Sequence, residues 1–539
     1  MSISASIRKL TLFFVAMFVA FSAGLVYWQV VVAQQVEANP HNGRSCLHAP
    51  VRGRIFDRNG VLLAESTPSK TCGYVRHYTD PSLAGLIGYY AGPNFPATGL
   101  EKLYDNYLSG QVGSTQLDNT VNQILHRPSV GDDIYLTIDE RIQKIVNQHF
   151  DDPIPIDNNI TYATNRGAVV VTDPATGEIL AMVSRPSYDP NKLVTSLQEK
   201  GDLSYYNQLV KDPDQPLLER PLDSRYVPGS TFKTVTLLAG LDSGKTTLDQ
   251  EFDSKHALGP ITVGQHQVGP TGNNLEPYTV RFPVDTEYGY THSDNVIFAQ
   301  IGAQIGVDTW QDYVNRFYLT QSIPQTTAFK WPVTVGSVTQ GNTPLDLNLL
   351  ADNAFGQGAD FVTPLGMSLV DNIAANDGQL MQPMLVSKIQ DQNKNPIESI
   401  SPQALGSRQV SSQAAAGVRQ AMYGVTHCGS GLVAGVNLSS SPWDIISKTG
   451  TAELGNDKQG HVIPAHSWLI TAAPYSVTNP TQLPKLTIVA MKENGGEGGN
   501  TNGPMVTNMY NDIFTKVMKI QQPPAPAANY CTQTQLLQQ

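Results

Sequence analysis

Three short motifs together supply serine and threonine hydroxyls and two lysine amines. Ser230 is followed three positions later by Lys233, Ser293 opens an S-D-N triplet, and a K-T-G-T run begins at Lys448. A serine hydroxyl is a poor nucleophile at neutral pH and needs a neighbouring base. Residues three apart on a helix share one face, so the Lys233 amine can reach the Ser230 hydroxyl. The sequence therefore predicts acyl transfer through a serine that is activated by a lysine.

Lys233 can act as a base only when its amine is neutral. Its reference pKa of about 10.4 must then fall by roughly two to three units, which corresponds to about 3–4 kcal/mol. Burial and a second cation together supply such a shift, and Lys448 is the expected second cation. The mostly apolar segment 231–241 predicts a buried helix with Ser230 at its N-terminus, where unpaired N–H groups favour developing negative charge.

The S-x-x-K, S-D-N and K-T-G motifs, in this order, are those of class A β-lactamases and penicillin-binding proteins. Near the N-terminus, Arg52 begins a segment that matches the R-G-x-I-x-D-R-N-G signature of class B penicillin-binding proteins. Gly99-Leu-Glu101 resembles a second signature of the same N-terminal domain. The chain therefore resembles a class B penicillin-binding protein over nearly its whole length, which implies the α+β penicillin-binding transpeptidase fold and a serine acyl-enzyme.

The resemblance also implies roles for the motif residues. Ser230 is the expected nucleophile and Lys233 its base. Ser293 is expected to pass a proton between Lys233 and the leaving amine. Asn295 is expected to hold Lys233 and the substrate backbone. Asp294 occupies the variable middle position of its triplet and receives no role.

The K-T-G-T run is expected to end a β-strand along which a peptide substrate lies as an added strand. Gly450 lets the backbone of a ligand approach closely. By resemblance, the backbone N–H groups of Ser230 and Thr451 form the oxyanion hole. Lys448 and the hydroxyls of Thr449 and Thr451 are expected to bind the terminal carboxylate of the substrate.

Several shorter matches support the resemblance without suggesting any chemistry. An ordinary loop or core role is expected for the segments 356–358, 362–364, 376–378, 466–468 and 473–475.

The uncharged run 10–32 is long enough to cross a bilayer as a helix. Arg8 and Lys9 precede it, and the next lysine or arginine is Arg44, so residues 1–9 are expected in the cytoplasm and the rest outside. The alternative is a cleaved signal peptide, whose apolar region is usually only about 7–15 residues long. The prediction is therefore a single-pass protein of the cell membrane with an extracytoplasmic catalytic domain.

The proline-broken, polar segment 151–158 predicts a domain boundary. A smaller dimerisation-type pedestal domain is expected over residues 33–158, the transpeptidase domain over 159–520, and a disordered tail over 521–539. Apolar runs predict strands at 167–172, 178–183, 444–449, 467–471 and 486–491, which suggest one five-stranded antiparallel sheet built from both ends of the domain and flanked by helices. A closing helix is expected to start at Pro504.

Composition narrows the range of partners. The net charge of −11 argues against binding nucleic acid, because phosphate binding needs a basic surface. The histidines are scattered and no H-E-x-x-H motif occurs, so neither a metal nor another cofactor is predicted. Cys46 and Cys72 either form a disulfide outside the cytoplasm or remain unpaired thiols.

The best interpretation is a monofunctional D,D-transpeptidase that cross-links peptidoglycan stem peptides ending in D-Ala-D-Ala and is acylated by β-lactam antibiotics. Hydrolysis of β-lactams is not expected, because Glu398 lacks the E-x-x-N context of the deacylating glutamate of class A β-lactamases. The alternative from another class is a non-catalytic scaffold or a penicillin sensor of cell-wall synthesis. The class B resemblance also implies a partner, a membrane glycosyltransferase of the SEDS family.

Overall fold

The computed structural model describes residues 3–28, 51–69, 73–112, 130–157, 161–270, 282–341, 343–429 and 438–523. Within these ranges the chain forms an N-terminal helix and two parts, each built around its own sheet. The predicted α+β class is confirmed, as are the apolar N-terminal helix and the five-stranded antiparallel sheet. Most of the predicted C-terminal tail lies outside the described residues.

The elements of the first part are, in chain order, α1 (Ile3–Val26), β1 (Ile55–Phe56), β2 (Leu62–Pro68), β3 (Tyr74–Tyr78), α2 (Ala84–Ile87), α3 (Gly99–Leu103), α4 (Asp105–Leu108), β4 (Asp133–Leu136) and α5 (Glu140–His149). The second part begins with β5 (Gly167–Asp173), β6 (Glu178–Arg185), α6 (Pro190–Val194), α7 (Ser204–Lys211), α8 (Arg220–Asp223), α9 (Lys233–Asp242), β7 (Glu251–Phe252), α10 (Ser254–Leu258), β8 (Ile261–Val263), β9 (His266–Val268), β10 (Val284–Asp285), α11 (Thr286–Thr291), α12 (Asn295–Ile305) and α13 (Val307–Arg316). It ends with α14 (Leu347–Asn353), α15 (Pro364–Ala375), β11 (Val386–Gln390), β12 (Pro396–Ser399), α16 (Ser412–Cys428), β13 (Ile446–Ala452), β14 (His466–Ala473), β15 (Leu486–Lys492) and α17 (Gly498–Asp512).

Helix α1 is the apolar helix predicted from the sequence. Its stretch Ile7–Val26 is long and apolar enough to cross a membrane, and none of that stretch is buried against the rest of the protein. The helix starts at Ile3, so Arg8 and Lys9, which precede the uncharged run, lie within its first turns. The predicted end of the span at residue 32 falls outside the described residues.

The sheet of the first part also contains strands from the second part. Its order is β12-β11-β4-β1-β2-β3, and β11 pairs antiparallel with β4 through Ile389 opposite Ile134. Strands β11 and β12 come from residues far beyond the predicted boundary at 158. The two parts are therefore joined by a shared sheet as well as by the chain itself.

The five-stranded sheet has the order β13-β14-β15-β5-β6, with antiparallel pairing throughout. Its inner strands are apolar on both faces because helices cover both sides. On β5, Val170 packs into one hydrophobic core, while Val169 and Val171 pack into the other. Helices α5 and α17 cover the second face, and α9, α15 and α16 lie on the first. Strand β13, which carries the K-T-G-T run, is an edge strand of this sheet.

The closing helix begins earlier than predicted. Helix α17 starts at Gly498, and Pro504 lies inside it. Glu497 caps the helix by accepting hydrogen bonds from the backbone N–H groups of Gly499 and Asn500. The prediction relied on the preference of proline for a first turn, whereas here the helix tolerates a proline in its interior.

The described cysteine, Cys428, is disulfide-bonded and lies at the C-terminal end of α16. Cys46 and Cys72, whose pairing was left open, and Cys531 lie outside the described residues. Disulfides persist in oxidising compartments outside the cytoplasm.

Candidate active site

Ser230 lies in a 3₁₀ turn, Gly229–Phe232, that continues directly into α9. The turn is held by the Thr231 hydroxyl, which donates to the carbonyl of Pro228 over 2.8 Å. Gly229 has a φ of +56°, and a Cβ at this position would lie 2.7 Å from the carbonyl oxygen of Thr451. Only glycine fits this backbone, and the turn presents the half-buried Ser230 at the start of the helix, as predicted.

Lys233 is buried beneath Ser230 at the centre of a cluster of polar side chains. Its Nζ lies 2.7 Å from Ser230 Oγ, 2.6 Å from Asn295 Oδ1 and 3.3 Å from Ser293 Oγ. The side chain is 0% exposed. The structure thus brings together the S-x-x-K and S-D-N motifs, which are far apart in sequence.

The S-D-N triplet forms a tight bend that ends in a helix. Ser293 adopts a φ of +62°, which is uncommon for a residue with a side chain. Asp294 then caps α12, because its buried carboxyl accepts a hydrogen bond from the backbone N–H of Ile297 over 3.0 Å. Because this cap fixes the backbone between Ser293 and Asn295, it orients both of their side chains. Asp294 received no role from the sequence, although an aspartate before an apolar helix is a typical N-cap signal.

Lys448 reaches the same cluster from strand β13. Its Nζ donates to Ser293 Oγ over 2.9 Å and to the carbonyl of Thr449 over 3.1 Å. The amine also lies 5.6 Å from the ring centroid of Tyr290, one turn before Ser293 on α11. Ser293 Oγ is therefore in contact with the amines of both Lys233 and Lys448.

Burial dominates the electrostatics of the two lysines. It lowers the pKa of Lys448 to about 7, and Glu497 partly opposes this shift. Burial, followed by the charge of Lys448, holds the pKa of Lys233 well below its usual range, and Asp294 opposes it. Burial also raises the pKa of Asp294 to about 6. Burial and the charge of Lys448 therefore both favour the neutral form of the Lys233 amine, which is the form that a base requires.

Gly450 is required by contacts within the protein itself. A Cβ on Gly450 would lie 2.8 Å from Thr231 Cγ2 and 3.0 Å from the carbonyl oxygen of Pro228. Strand β13 therefore packs directly against the turn that carries Ser230. A glycine was expected here so that a ligand could approach, and the nucleophile turn places a further constraint on the same position.

Thr451 directs its backbone towards the nucleophile turn. Its carbonyl oxygen faces Gly229 and accepts a hydrogen bond from Gln357 Nε2 over 2.9 Å. In a strand, the N–H and C=O of one residue point to the same side. The N–H of Thr451 therefore also points away from β14 and towards Ser230, while Thr449 lies buried two residues earlier.

Sequence reasoning missed one further acidic residue near the lysines. Glu497 is the N-cap of α17, and its charge acts on Lys448. The glycines that follow it, Gly498 and Gly499, are poor helix formers, so the sequence carries no clear sign of a helix start. Gly498 is needed there because a Cβ would lie 2.2 Å from the carbonyl oxygen of Gly450.

Within the described residues, no group of three His, Cys, Asp or Glu side chains is arranged to hold a metal ion. The serine and lysine side chains of this cluster can attack as a nucleophile and transfer protons.

Two family models match the chain. One, described as the penicillin binding protein transpeptidase domain, matches residues 167–515. The other, described as the penicillin binding protein A dimerisation domain, matches residues 52–134.

Among similar proteins, the peptidoglycan D,D-transpeptidase PbpA of Mycolicibacterium smegmatis is 30% identical, over 93% of this chain and 96% of its own. The peptidoglycan D,D-transpeptidase MrdA of Escherichia coli is 26% identical, over 83% of this chain and 69% of its own. The solved penicillin G acyl-enzyme complex of penicillin-binding protein A from M. tuberculosis is 29% identical. It covers 86% of this chain and 99% of its own, with a TM-score of 0.71.

Proposed function

This chain belongs to the penicillin-binding protein transpeptidase family, and we propose that Ser230 forms the acyl-enzyme of its reaction. The protein is a peptidoglycan D,D-transpeptidase that is acylated by β-lactams. The observation that carries the assignment to Ser230 is the 2.7 Å contact between its Oγ and the buried amine of Lys233.

In the first half of the reaction, Ser230 Oγ attacks the carbonyl carbon of the penultimate D-Ala of a stem peptide while Lys233 Nζ takes the hydroxyl proton. The N–H groups of Ser230 and Thr451 hold the negative oxygen of the tetrahedral intermediate. The C–N bond then breaks, and the terminal D-Ala leaves as an amine after Ser293 passes it the proton. Ser293 suits this transfer because its Oγ lies between two amines.

In the second half, the amine of a neighbouring stem peptide attacks the ester carbonyl of the acyl-enzyme. This amine returns a proton through Ser293 and Lys233, and Ser230 Oγ leaves as a hydroxyl. The products are a new peptide bond and the free enzyme. A β-lactam follows only the first half, because opening its ring keeps the leaving amine attached to the acyl group.

Lys448, Thr449 and Thr451 recognise the terminal carboxylate of the substrate. The amine of Lys448 is buried, so a bound carboxylate restores its positive charge at neutral pH. Asn295 holds Lys233 through its Oδ1, and its side chain is otherwise exposed and available to the substrate backbone. The stem peptide lies along β13, whose outer edge is the edge of the sheet.

Mass spectrometry of the intact protein tests this assignment. Benzylpenicillin should add one adduct to the wild type, and Ser230→Ala should lose it. Ser411→Ala is a matched control, since Ser411 also stands at the start of a helix but caps α16 away from both lysines. An adduct on Ser230→Ala would refute the assignment, as would its loss from Ser411→Ala alone.

We further propose the domain organisation predicted from the sequence, with a pedestal over residues 33–158, a transpeptidase domain over 159–520 and a tail over 521–539. The family matches at 52–134 and 167–515 support this division. The pedestal supports the catalytic part through a shared sheet, because β11 of the catalytic part pairs with β4 of the pedestal.

We propose that α1 anchors the protein in the cell membrane, with residues 1–9 in the cytoplasm and the catalytic domain outside. The exposed apolar helix and the basic pair Arg8 and Lys9 support this topology. The disulfide at Cys428 supports an oxidising compartment for the catalytic part. Protease added to intact spheroplasts should remove the catalytic domain, and its full protection would overturn the topology.

We propose a SEDS-family glycosyltransferase as the membrane partner, as the class B resemblance implies. We place the contact on α1, because its apolar surface is not buried against the rest of the described residues. Co-purification from membranes tests this proposal with the full-length protein and with a variant whose residues 3–28 are replaced by an unrelated membrane helix. If the glycosyltransferase no longer co-purifies with the variant, a contact through α1 is supported. If the glycosyltransferase co-purifies with neither protein, the proposed partnership is refuted.

A further inference from the structure

The segment 356–358, which matched the family without suggesting any chemistry, lies between the nucleophile turn and strand β13. A Cβ on Gly356 would lie 1.9 Å from the carbonyl oxygen of Gly229. The next residue, Gln357, donates from Nε2 to the carbonyl of Thr451 over 2.9 Å. This segment therefore contacts both backbones that supply the proposed oxyanion hole.

The segment is itself held firmly at its base. Asn353 Nδ2 donates to the carbonyl of Val338 over 2.8 Å, and Asn353 Oδ1 accepts from the N–H of Ala359 over 2.8 Å. The N–H of Gly356 donates to the carbonyl of Asn353 over 3.0 Å. Because Asn353 is fully buried, Gln357 extends from a fixed support.

Fixing the Thr451 carbonyl also fixes the direction of the Thr451 N–H, because both groups lie on the same side of the strand. On that side β13 has no neighbouring strand in the described structure. An edge strand leaves the N–H and C=O groups on its open side without a strand partner. The Gln357 hydrogen bond supplies the restraint that a neighbouring strand would give.

We propose that Gln357 is a positioning residue, which aligns the Thr451 N–H with the Ser230 N–H so that both donate to the oxyanion. The inference rests on the proposed function of Ser230 and Thr451. Removing one donor of an oxyanion hole typically slows the chemical step by about 10²–10³-fold. Releasing the restraint on a donor that remains present should have a smaller effect, of about tenfold.

The test compares Gln357→Met with Gln357→Glu in the full-length protein. Both variants keep the size of the side chain and remove the N–H donor. Each should lower the first-order rate constant of acylation by benzylpenicillin about tenfold and leave the dissociation constant of the preceding complex within about twofold. Gln382→Met is the matched control, because Gln382 Nε2 also donates to a backbone carbonyl, that of Pro324, away from the site.

A spectroscopic measurement separates positioning from a merely structural role. In the acyl-enzyme, weaker hydrogen bonds to the ester carbonyl raise its infrared stretching frequency. The band should shift upward in both Gln357 variants and stay in place in Gln382→Met, even if all three melt at lower temperatures. Wild-type rate and band position in either folded Gln357 variant would overturn the inference. An unacylated wild type would instead refute the proposed function.

Discussion

Arg52 and Glu101 form a buried ion pair that joins the two signature segments of the N-terminal part. Arg52 Nε lies 3.0 Å from Glu101 Oε2, and the two side chains are 2% and 0% exposed. Glu101 Oε1 also accepts from Arg76 Nε over 2.6 Å. Burial alone would raise the pKa of Glu101, but Arg76 and Arg52 outweigh it and lower the pKa. Glu101 is therefore a buried charge that neutralises two arginines.

We expect Glu101→Gln to destabilise the protein by about 3–5 kcal/mol, because it leaves Arg76 buried without its countercharge and Arg52 paired with Asp105 alone. Urea unfolding measures the loss. The control is Lys516→Ala, which breaks the 2.7 Å pair with Asp512 on an exposed helix surface and should cost no more than about 0.5 kcal/mol. Since the pKa of Glu101 is lowered, its contribution should be present above the unfolded-state pKa and vanish as pH falls through the folded one. Equal losses for the two variants would contradict this account.

Removing residues 1–158 should damage the part that remains. In such a truncated protein, β11 loses its partner β4, and the buried Val386 and Ile389 become exposed at a sheet edge. Exposed apolar edge strands promote aggregation. We expect a protein starting at residue 159 to melt at a lower temperature and to aggregate, whereas one starting at residue 51 should remain monodisperse.

Thermal unfolding and size-exclusion chromatography of the two truncated proteins test this expectation. If the protein starting at residue 159 matched the longer one in both measurements, the shared sheet would not contribute to the stability of the catalytic part.

Local patterns predicted the elements of the site, but not the contacts between them. The helix after Ser230 and the strand through Lys448 followed from short apolar runs and motif residues, and both are present. Pairing of β11 with β4 joins residues that are 250–257 positions apart, and nothing in either short strand specifies its partner. Long-range pairing depends on the packing of the whole chain, so periodicity alone cannot reveal it.

The same limit applies inside the site. The role of Lys448 as a second cation was predictable from its motif, but its own burial, which lowers its pKa to about 7, was not. Gly450 was expected to make room for a ligand, but the room that it also makes for Thr231 was not predictable. Such contacts depend on which backbones meet in three dimensions.

Lys448→Met should shift the pH dependence of acylation. The acid side of the profile reports the loss of the Lys233 proton, and the charge of Lys448 is the second cause that lowers the pKa of Lys233. Without this charge the pKa of Lys233 rises, so the acid side should move to higher pH. Affinity should also fall by roughly ten- to a hundredfold, because a hydrogen bond to a charged carboxylate is lost.

The measurement is the second-order rate constant of acylation by benzylpenicillin between about pH 5 and pH 9. The shape of the profile reports the shift of its acid side, and its height reports the lower affinity. The shift should be largest below about pH 7, where Lys448 is charged in the free enzyme. A profile that coincides with that of the wild type after scaling would show that Lys448 does not act on Lys233.

Glu219→Gln should stabilise the protein at alkaline pH. Glu219 is 3% exposed, and neither of its carboxyl oxygens has a hydrogen-bond partner in the described part of the chain. It packs so closely on the pedestal that a Cβ at Gly85 would lie 1.9 Å from Glu219 Oε2. Burial raises the pKa of Glu219 to about 8, with a further contribution from Asp223, while Arg220 opposes it.

The sign of the pH dependence follows from the raised pKa of Glu219. Between the unfolded value of 4.5 and about pH 8, the unfolded chain releases this proton and the folded protein keeps it. The wild type should then lose up to roughly 1.4 kcal/mol of stability per pH unit at this site, whereas a glutamine has no proton to lose. Urea unfolding should show little difference between Glu219→Gln and wild type near pH 5 and a clear gain for the variant near pH 8.5, about the ends of this window. Glu199→Gln, at an exposed position, is the control and should give the same difference at both pH values. A gain for Glu219→Gln that did not grow with pH would mean that Glu219 is already ionised in the folded protein, and its contact with Gly85 would then have to accommodate a buried charge.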